Sequence, residues 1–263
     1  MVDNKTEELI NAVRTKEKFT VRFIKSCNEN GEISVQLVPA FKPRKPEATY
    51  VISLITFTTT NLIANIHVGN NKFYYHNTKK LQDITIPTGF YSIEKYGEAV
   101  KKLIKQNGDD PEAVTISIDY STGLISILIS KGYKVLFNKE NTWRDSLGFS
   151  NIDLTGDKEH IGTRLADTWP TQEVFVHCSA CKGNRFISAN GNCEESDQIF
   201  SFPANQKYGA PITYQIDPKL TESELDLATG QLDKIRFRFT DDQGKSVTFG
   251  GSKVSMSLRI TQV

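Results

Sequence analysis

The densest cluster of reactive side chains in the sequence is His177-Cys178-Ser179-Ala180-Cys181, with Cys193 twelve residues further on. A Cys-x-x-Cys unit can bite a zinc ion, and a structural zinc takes four ligands, so His177 or Cys193 would have to complete the set. The preceding residues argue against this. Val174-Phe175-Val176-His177-Cys178 reads as a strand, whose successive side chains point to opposite faces. His177 and Cys178 then do not converge on one ion, and free cysteine also behaves as a small buried hydrophobe. A thioredoxin-type redox pair lacks its strand–helix setting. The expectation is no metal at Cys178, Cys181 and Cys193, and no cofactor.

Other candidate chemistry is thinner. Asp109-Asp110, Glu194-Glu195 and Asp241-Asp242 stand in turn-like contexts, where adjacent carboxylates point apart and solvate a turn. Phosphate-cradling glycine loops, a G-x-S-x-G elbow and an H-E-x-x-H pair are all missing. His67, His76 and His160 are isolated beside polar residues. No Ser/His/Asp set declares itself, although such a triad has no fixed order along a chain. The loop Pro39 to Pro46 carries Lys42, Arg44 and Lys45, and reads as a solvated connection rather than a phosphate site. Phe73-Tyr74-Tyr75 could stack bases, but reads as a strand with one ring facing out. The balance of 32 basic and 31 acidic residues gives a net charge of +1. That argues against steering to nucleic acid and leaves little repulsion to oppose self-association. An enzyme is not expected.

The elements that would position these residues are mostly strands. Phe19, Val21 and Phe23 alternate with polar residues, Asn28 to Gly31 turns the chain, and Ile33, Val35 and Leu37 alternate again. This predicts a β-hairpin. Residues 50–57 are apolar at both parities, as in a strand buried on both faces. Around residue 84 the pattern changes. Ser92 suits a helix N-cap, Ile93, Tyr96, Val100, Leu103 and Ile104 recur at helical spacing, and Asn107-Gly108 suits the end. Gly97 inside this helix costs roughly 1 kcal/mol against alanine, so packing must hold it. Strands follow at 114–119, 124–130 and 133–137, then a helical turn over 141–149 ending at Gly148. From Glu173 the chain reads as strands again: 173–178, "PITYQI", "KIRFRFT", "SVTFG" and "KVSMSLRI", with Asp241 to Gly244 as a hairpin turn.

Short strands with turns every 8–12 residues indicate a sandwich or jelly roll. The fold class expected is mainly β: a jelly-roll β-sandwich with a small inserted α+β subdomain. The expected organisation is a tail-like arm over 1–16, the roll's first part over 17–83, the insert over 84–149 and the second part over 150–263. No apolar run approaches the ~20 residues of a membrane span. Residues 1–16 are charged rather than signal-like, and four cysteines make no disulfide framework, which points to synthesis in a reducing compartment.

The order of several motifs resembles one family. "TYVISLITFTTTNLIANI", "GNNKFYY", "ITIPTGFYSIEKY", "TWRDSLGF" and "KIRFRFTDDQGKSVTFGG" follow one another before the last strand. This order resembles the capsid-like proteins of Maverick/Polinton elements and adintoviruses, from about Phe41 to Ile260, with a poor match over 150–230. The resemblance implies a minor capsid protein, the vertex or penton subunit of an icosahedral particle, assembling as a homopentamer. Its partners would be its own copies, the major capsid protein and, at the vertex, a fibre or receptor. Its site would be the virion, after synthesis in the cytoplasm and assembly in the nucleus. In that reading "NNKFYYHN" is where a jelly-roll strand leaves for the insert, with Phe73 and Tyr75 on one side and Tyr74 on the other. These three, with the arm's apolar Leu9, Ile10 and Val13, form the expected interface. The alternative is a trimeric receptor-binding or spike-type β-sandwich of the same kind of virus.

Overall fold

The computed structural model describes residues 18–169, 171–182, 184–187, 193–227 and 230–263. In chain order the strands begin with β1 (Lys18–Ser26), β2 (Glu32–Phe41) and β3 (Tyr50–Thr60). Next come β4 (Lys72–His76), β5 (Leu81–Thr85), helix α1 (Ile93–Gln106), β6 (Val114–Asp119), β7 (Leu124–Ile129), β8 (Lys134–Leu136), β9 (Asp153–Thr155) and β10 (Lys158–Ile161). The chain then runs through β11 (Glu173–Cys178), β12 (Cys181–Lys182), β13 (Asn184–Ile187), β14 (Cys193–Ser196) and β15 (Gln198–Pro203). It closes with β16 (Pro211–Gln215), β17 (Ser223–Leu225), β18 (Leu232–Thr240) and β19 (Lys253–Gln262). Helix α1 is the one α-helix among the described residues, beside two single-turn 3-10 helices at Pro111–Ala113 and Pro218–Leu220, and none of them is long and apolar enough to cross a membrane.

Contacts divide the chain into two units: 1–62 with 171–263, and 63–170. In the first, β1-β19-β3-β17-β12 form one antiparallel sheet, with β16 beside β17 on the same edge of β3; β15-β11-β18-β2 form the other. Eight strand positions follow in order: β1, β2, β3, β11, β15, then β16 with β17, β18 and β19. Position one pairs with eight, two with seven, three with six and four with five. Eight also pairs with three, and seven with four. This nested pairing, rolled into two sheets, is a jelly roll.

The pairing overturns the expected hairpin between β1 and β2. The turn is there: Asn28 Oδ1 accepts from the backbone of Asn30 and Glu32, and Gly31 has φ +69°. However, among the described residues β1 pairs only with β19 and β2 only with β18, so the turn carries the chain from one sheet to the other. "SVTFG" makes a single bridge, Ser246 to Thr240, rather than a strand.

The core lies between the sheets. Phe23 stacks on Phe237 at 5.3 Å, and Phe57 meets Phe202 at 4.8 Å and Phe239 at 6.1 Å. The apolar run 50–57 also finds its explanation. Register against β19 slips at Ile55, so Tyr50, Ile52 and Leu54 point inward before the slip and Phe57 and Thr59 after it. The mixed parity therefore comes from a β-bulge, not from two fully buried faces; Val51 and Ile55 stay half-exposed.

The second unit has its own core. Sheets β5-β4-β8-β9 and β10-β7-β6 bury Phe73, Tyr75, Ile125, Ile127 and Val135 together with Ile93, Tyr96, Val100 and Ile104 of α1. Ser92 caps α1 by accepting from the backbone of Lys95, and Asn107 ends it. A side chain at Gly97 would press within 3.3 Å of the Ile116 carbonyl, so glycine lets α1 lie close against β6. The unit reaches beyond the expected 84–149 on both sides. β4 takes both its partners, β5 and β8, from this unit, and β8 holds β9, so strands on either side of 84–149 complete one sheet.

Candidate functional site

Strand alternation separates the side chains of the sequence's best metal candidate. Along β11, Val174, Val176 and Cys178 are buried, while Phe175 and His177 face the other way. Cys178 ends β11 in one sheet and Cys181 opens β12 in the other, so both thiols sit buried at the corner between sheets. The Cys181 thiol is held far above its ordinary pKa, first by its hydrogen bond with Cys178 and then by burial, against the opposing Ser223 hydroxyl. It is the wrong setting for a thiolate, which is the form that ligates metal or attacks. Among the described residues no group of three His, Cys, Asp or Glu converges. The side chain of Cys193 lies outside the described residues.

The outward face of these strands holds a constellation that no sequence pattern announces. His177 Nδ1 lies 2.7 Å from Asp197 Oδ1, and its Nε2 lies 2.9 Å from Thr240 Oγ1. An imidazole held between a carboxylate and a hydroxyl has the geometry of a nucleophile–base–carboxylate triad. The ladder of β11 on β18, pairing Phe175 with Thr240 and His177 with Arg238, brings the hydroxyl, and the ladder of β11 on β15, pairing His177 with Gln198, brings Asp197. Asp197 is drawn below the usual carboxylate range, first by its hydrogen bond with His177, then, against burial, by the nearby charges of His177 and Arg238. Arg238 Nη2 is 3.8 Å away.

Catalysis would need the hydroxyl to meet a substrate, and Thr240 is only 4% exposed. The triad is better suited to tying β11, β18 and the entry to β15 together. His177→Ala removes the ring that serves both partners, leaving the Thr240 hydroxyl buried without it. The expected cost is about 2 kcal/mol in chemical denaturation. Asp197 gives this cluster a pH dependence. Because its folded-state pKa is depressed, its stabilisation is complete above the free carboxyl value of about 3.9 and is lost as pH falls through the lower folded value. The stability of the native protein should therefore fall more steeply with acid than that of Asp197→Asn, the two converging at the acid end.

A second feature lies on the flank where β15 faces β16; there the Tyr214 ring packs on Phe200 at 5.6 Å and on Phe202 at 5.4 Å. Beside this contact runs a groove of about 500 Å³. Gln198 and Phe200 of β15 form one wall, and Ile216, Leu220, Thr221 and Glu222 the other. The groove follows from the bulge in β3. Where the bulge interrupts pairing, the sixth strand position splits into β16 and β17. The Thr221 hydroxyl replaces the missing ladder, accepting from Leu54 N–H and donating to Leu54 C=O, each at 3.0 Å. The loop so formed leaves Leu220 81% exposed.

No protein-family model and no curated protein matches the chain. Among solved structures it is similar to a crystal structure of SeMet-labeled mavirus penton protein, with a TM-score of 0.48 and 8% sequence identity, over 94% of this chain and 100% of that one.

The aromatic residues expected at an interface divide. Phe73 and Tyr75 are wholly buried in the second unit's core, in the same cluster as the inward residues of α1 and β7. Only Tyr74 faces the other way, half-buried. The Tyr75 hydroxyl donates to Asp109 Oδ2 at 2.8 Å, and Asn77 Nδ2 donates to Asp109 Oδ1 at 2.9 Å. Burial, with Asp109 adding to it, pushes the Tyr75 phenol up to about 12, against the hydrogen bond from Asn107. Tyr75 is a core residue with a fixed polar tip, and β4 belongs to the second unit rather than to the roll. Leu9, Ile10 and Val13 lie outside the described residues.

Proposed function

We propose that this chain is a structural capsid protein: the vertex, or penton, subunit of an icosahedral viral particle, acting as a homopentamer beside the major capsid protein of the same particle. The observation that carries the reading is the jelly roll's nested pairing, with a complete second unit entering between β3 and β11. The motif order that resembles Maverick/Polinton capsid proteins supports it. Double-sheet jelly rolls recur in viral capsid proteins, lectins and cupins. A closed ring needs two different surfaces of one subunit to meet, and the sandwich has two unlike flanks, β1 with β2 and β15 with β16. The near-zero net charge leaves such contacts little repelled.

Size-exclusion chromatography with light scattering, followed by electron microscopy, tests this. The expected result is a five-membered ring. A trimer would favour the spike-type binding module instead. A protein that stays monomeric at high concentration, and that no five-fold density accommodates, would overturn the assignment.

A further inference from the structure

We infer that the groove between β15 and the β16–β17 connection receives residues 1–17 of a neighbouring copy, which add a strand along the open side of β15. The inference rests on the ring-forming reading above and names the contact that would close the ring.

The first observation is the edge itself. Among the described residues β15 has a ladder partner on one side only, β11. A sheet edge of this kind is a template for an added strand. Beside it the groove mixes polar side chains, Gln198, Thr221 and Glu222, with two apolar ones open to a partner, Leu220 exposed and Phe200 half-exposed.

The second observation is where the chain enters the roll. Lys18 is the first residue of β1, the outermost strand of its sheet. The two sheets run β1-β19-β3-β17-β12 and β2-β18-β11-β15, and the groove lies against β15 and the β16–β17 connection, so β1 and the groove lie on opposite flanks. Three strand spacings of about 4.8 Å separate them within one subunit. When opposite flanks meet in a ring, a neighbour's Lys18 arrives beside this groove. Its preceding 17 residues can span about 56 Å when extended, whereas a strand paired along β15 needs only about 20 Å. A subunit's own arm would have to turn back around its own sandwich.

The arm's composition fits. In an extended segment Leu9 and Val13 share one face and can cover Phe200 and Leu220, while Arg14 and Lys16 approach Glu222 at the rim.

A disulfide trap on the full chain tests the placement. Val13→Cys and Leu220→Cys are combined, and each alone serves as a control for the native cysteines. Leu220 is exposed, so the substitution leaves the core intact. Mild oxidation with diamide takes two electrons and two protons from the paired thiols as the S–S bond forms. Non-reducing electrophoresis should then show covalent species of two to five chains from the double variant only. A bond closed within one chain would overturn the inference. So would the absence of any bond in a protein that light scattering shows to be pentameric, a result that leaves the penton reading standing. A protein that forms no ring removes both.

Discussion

Phe57→Ala is expected to lower the stability of the jelly-roll unit by about 3–5 kcal/mol. The ring is wholly buried between the two sheets. It touches Phe202 at 4.8 Å, Phe239 at 6.1 Å and Phe249 at 6.2 Å, while Phe239 meets Phe249 edge-on at 5.2 Å. Truncation removes the common member of that cluster. Neighbours held by two ladders cannot close the space, so a cavity term adds to the lost transfer energy. Phe57 is also the first inward residue after the bulge at Ile55, so its ring anchors the shifted register. Phe57→Leu keeps most of the volume and should cost less than about 1.5 kcal/mol. Denaturant unfolding followed by circular dichroism measures both. A loss below about 1 kcal/mol for the alanine variant would mean that the sheets do not depend on this cluster.

Gly148→Ala should be comparably damaging to the second unit, by about 3–5 kcal/mol. Gly148 has φ +77°, and a Cβ there would fall 2.1 Å from the Arg164 carbonyl oxygen. Its own carbonyl accepts from the backbone of Thr163 and Arg164, so the strand of chain it would displace is also the one it holds. Gly108 separates the two contributions. It has φ +81° at the end of α1, but nothing lies within 4 Å of an added Cβ. Gly108→Ala should therefore show only the left-handed backbone cost of about 1–2 kcal/mol. Equal losses at the two positions would show that the contact with Arg164 relaxes freely.

The site was less legible than the fold. His177 lies 20 residues from Asp197 and 63 from Thr240, and only the ladders of β11 on β15 and on β18 bring the three together. The readable signal was modest: an outward histidine at the end of one strand and an outward threonine at the end of another. The groove was hidden for a similar reason. It depends on a bulge in β3 and on Thr221 supplying a side-chain substitute for a ladder bond 167 residues away.

The sequence by itself determined what depends on neighbours along the chain. Alternation placed β1, β2, β11, β18 and β19 and sent His177 and Cys178 to opposite faces. Ser92, the apolar stripe and Asn107-Gly108 set the limits of α1. Tertiary structure alone decided what depends on partners distant in the chain. Alternation is blind to which strand lies alongside, so it predicts a hairpin of β1 and β2 although each pairs with a strand far along the chain. It is equally blind to a register slip, which made one bulged strand look buried on both faces. Burial of Phe73 and Tyr75 was settled by what packs over β4. A ring's hydrophobicity suits a core and an interface alike, and only the covering elements tell them apart.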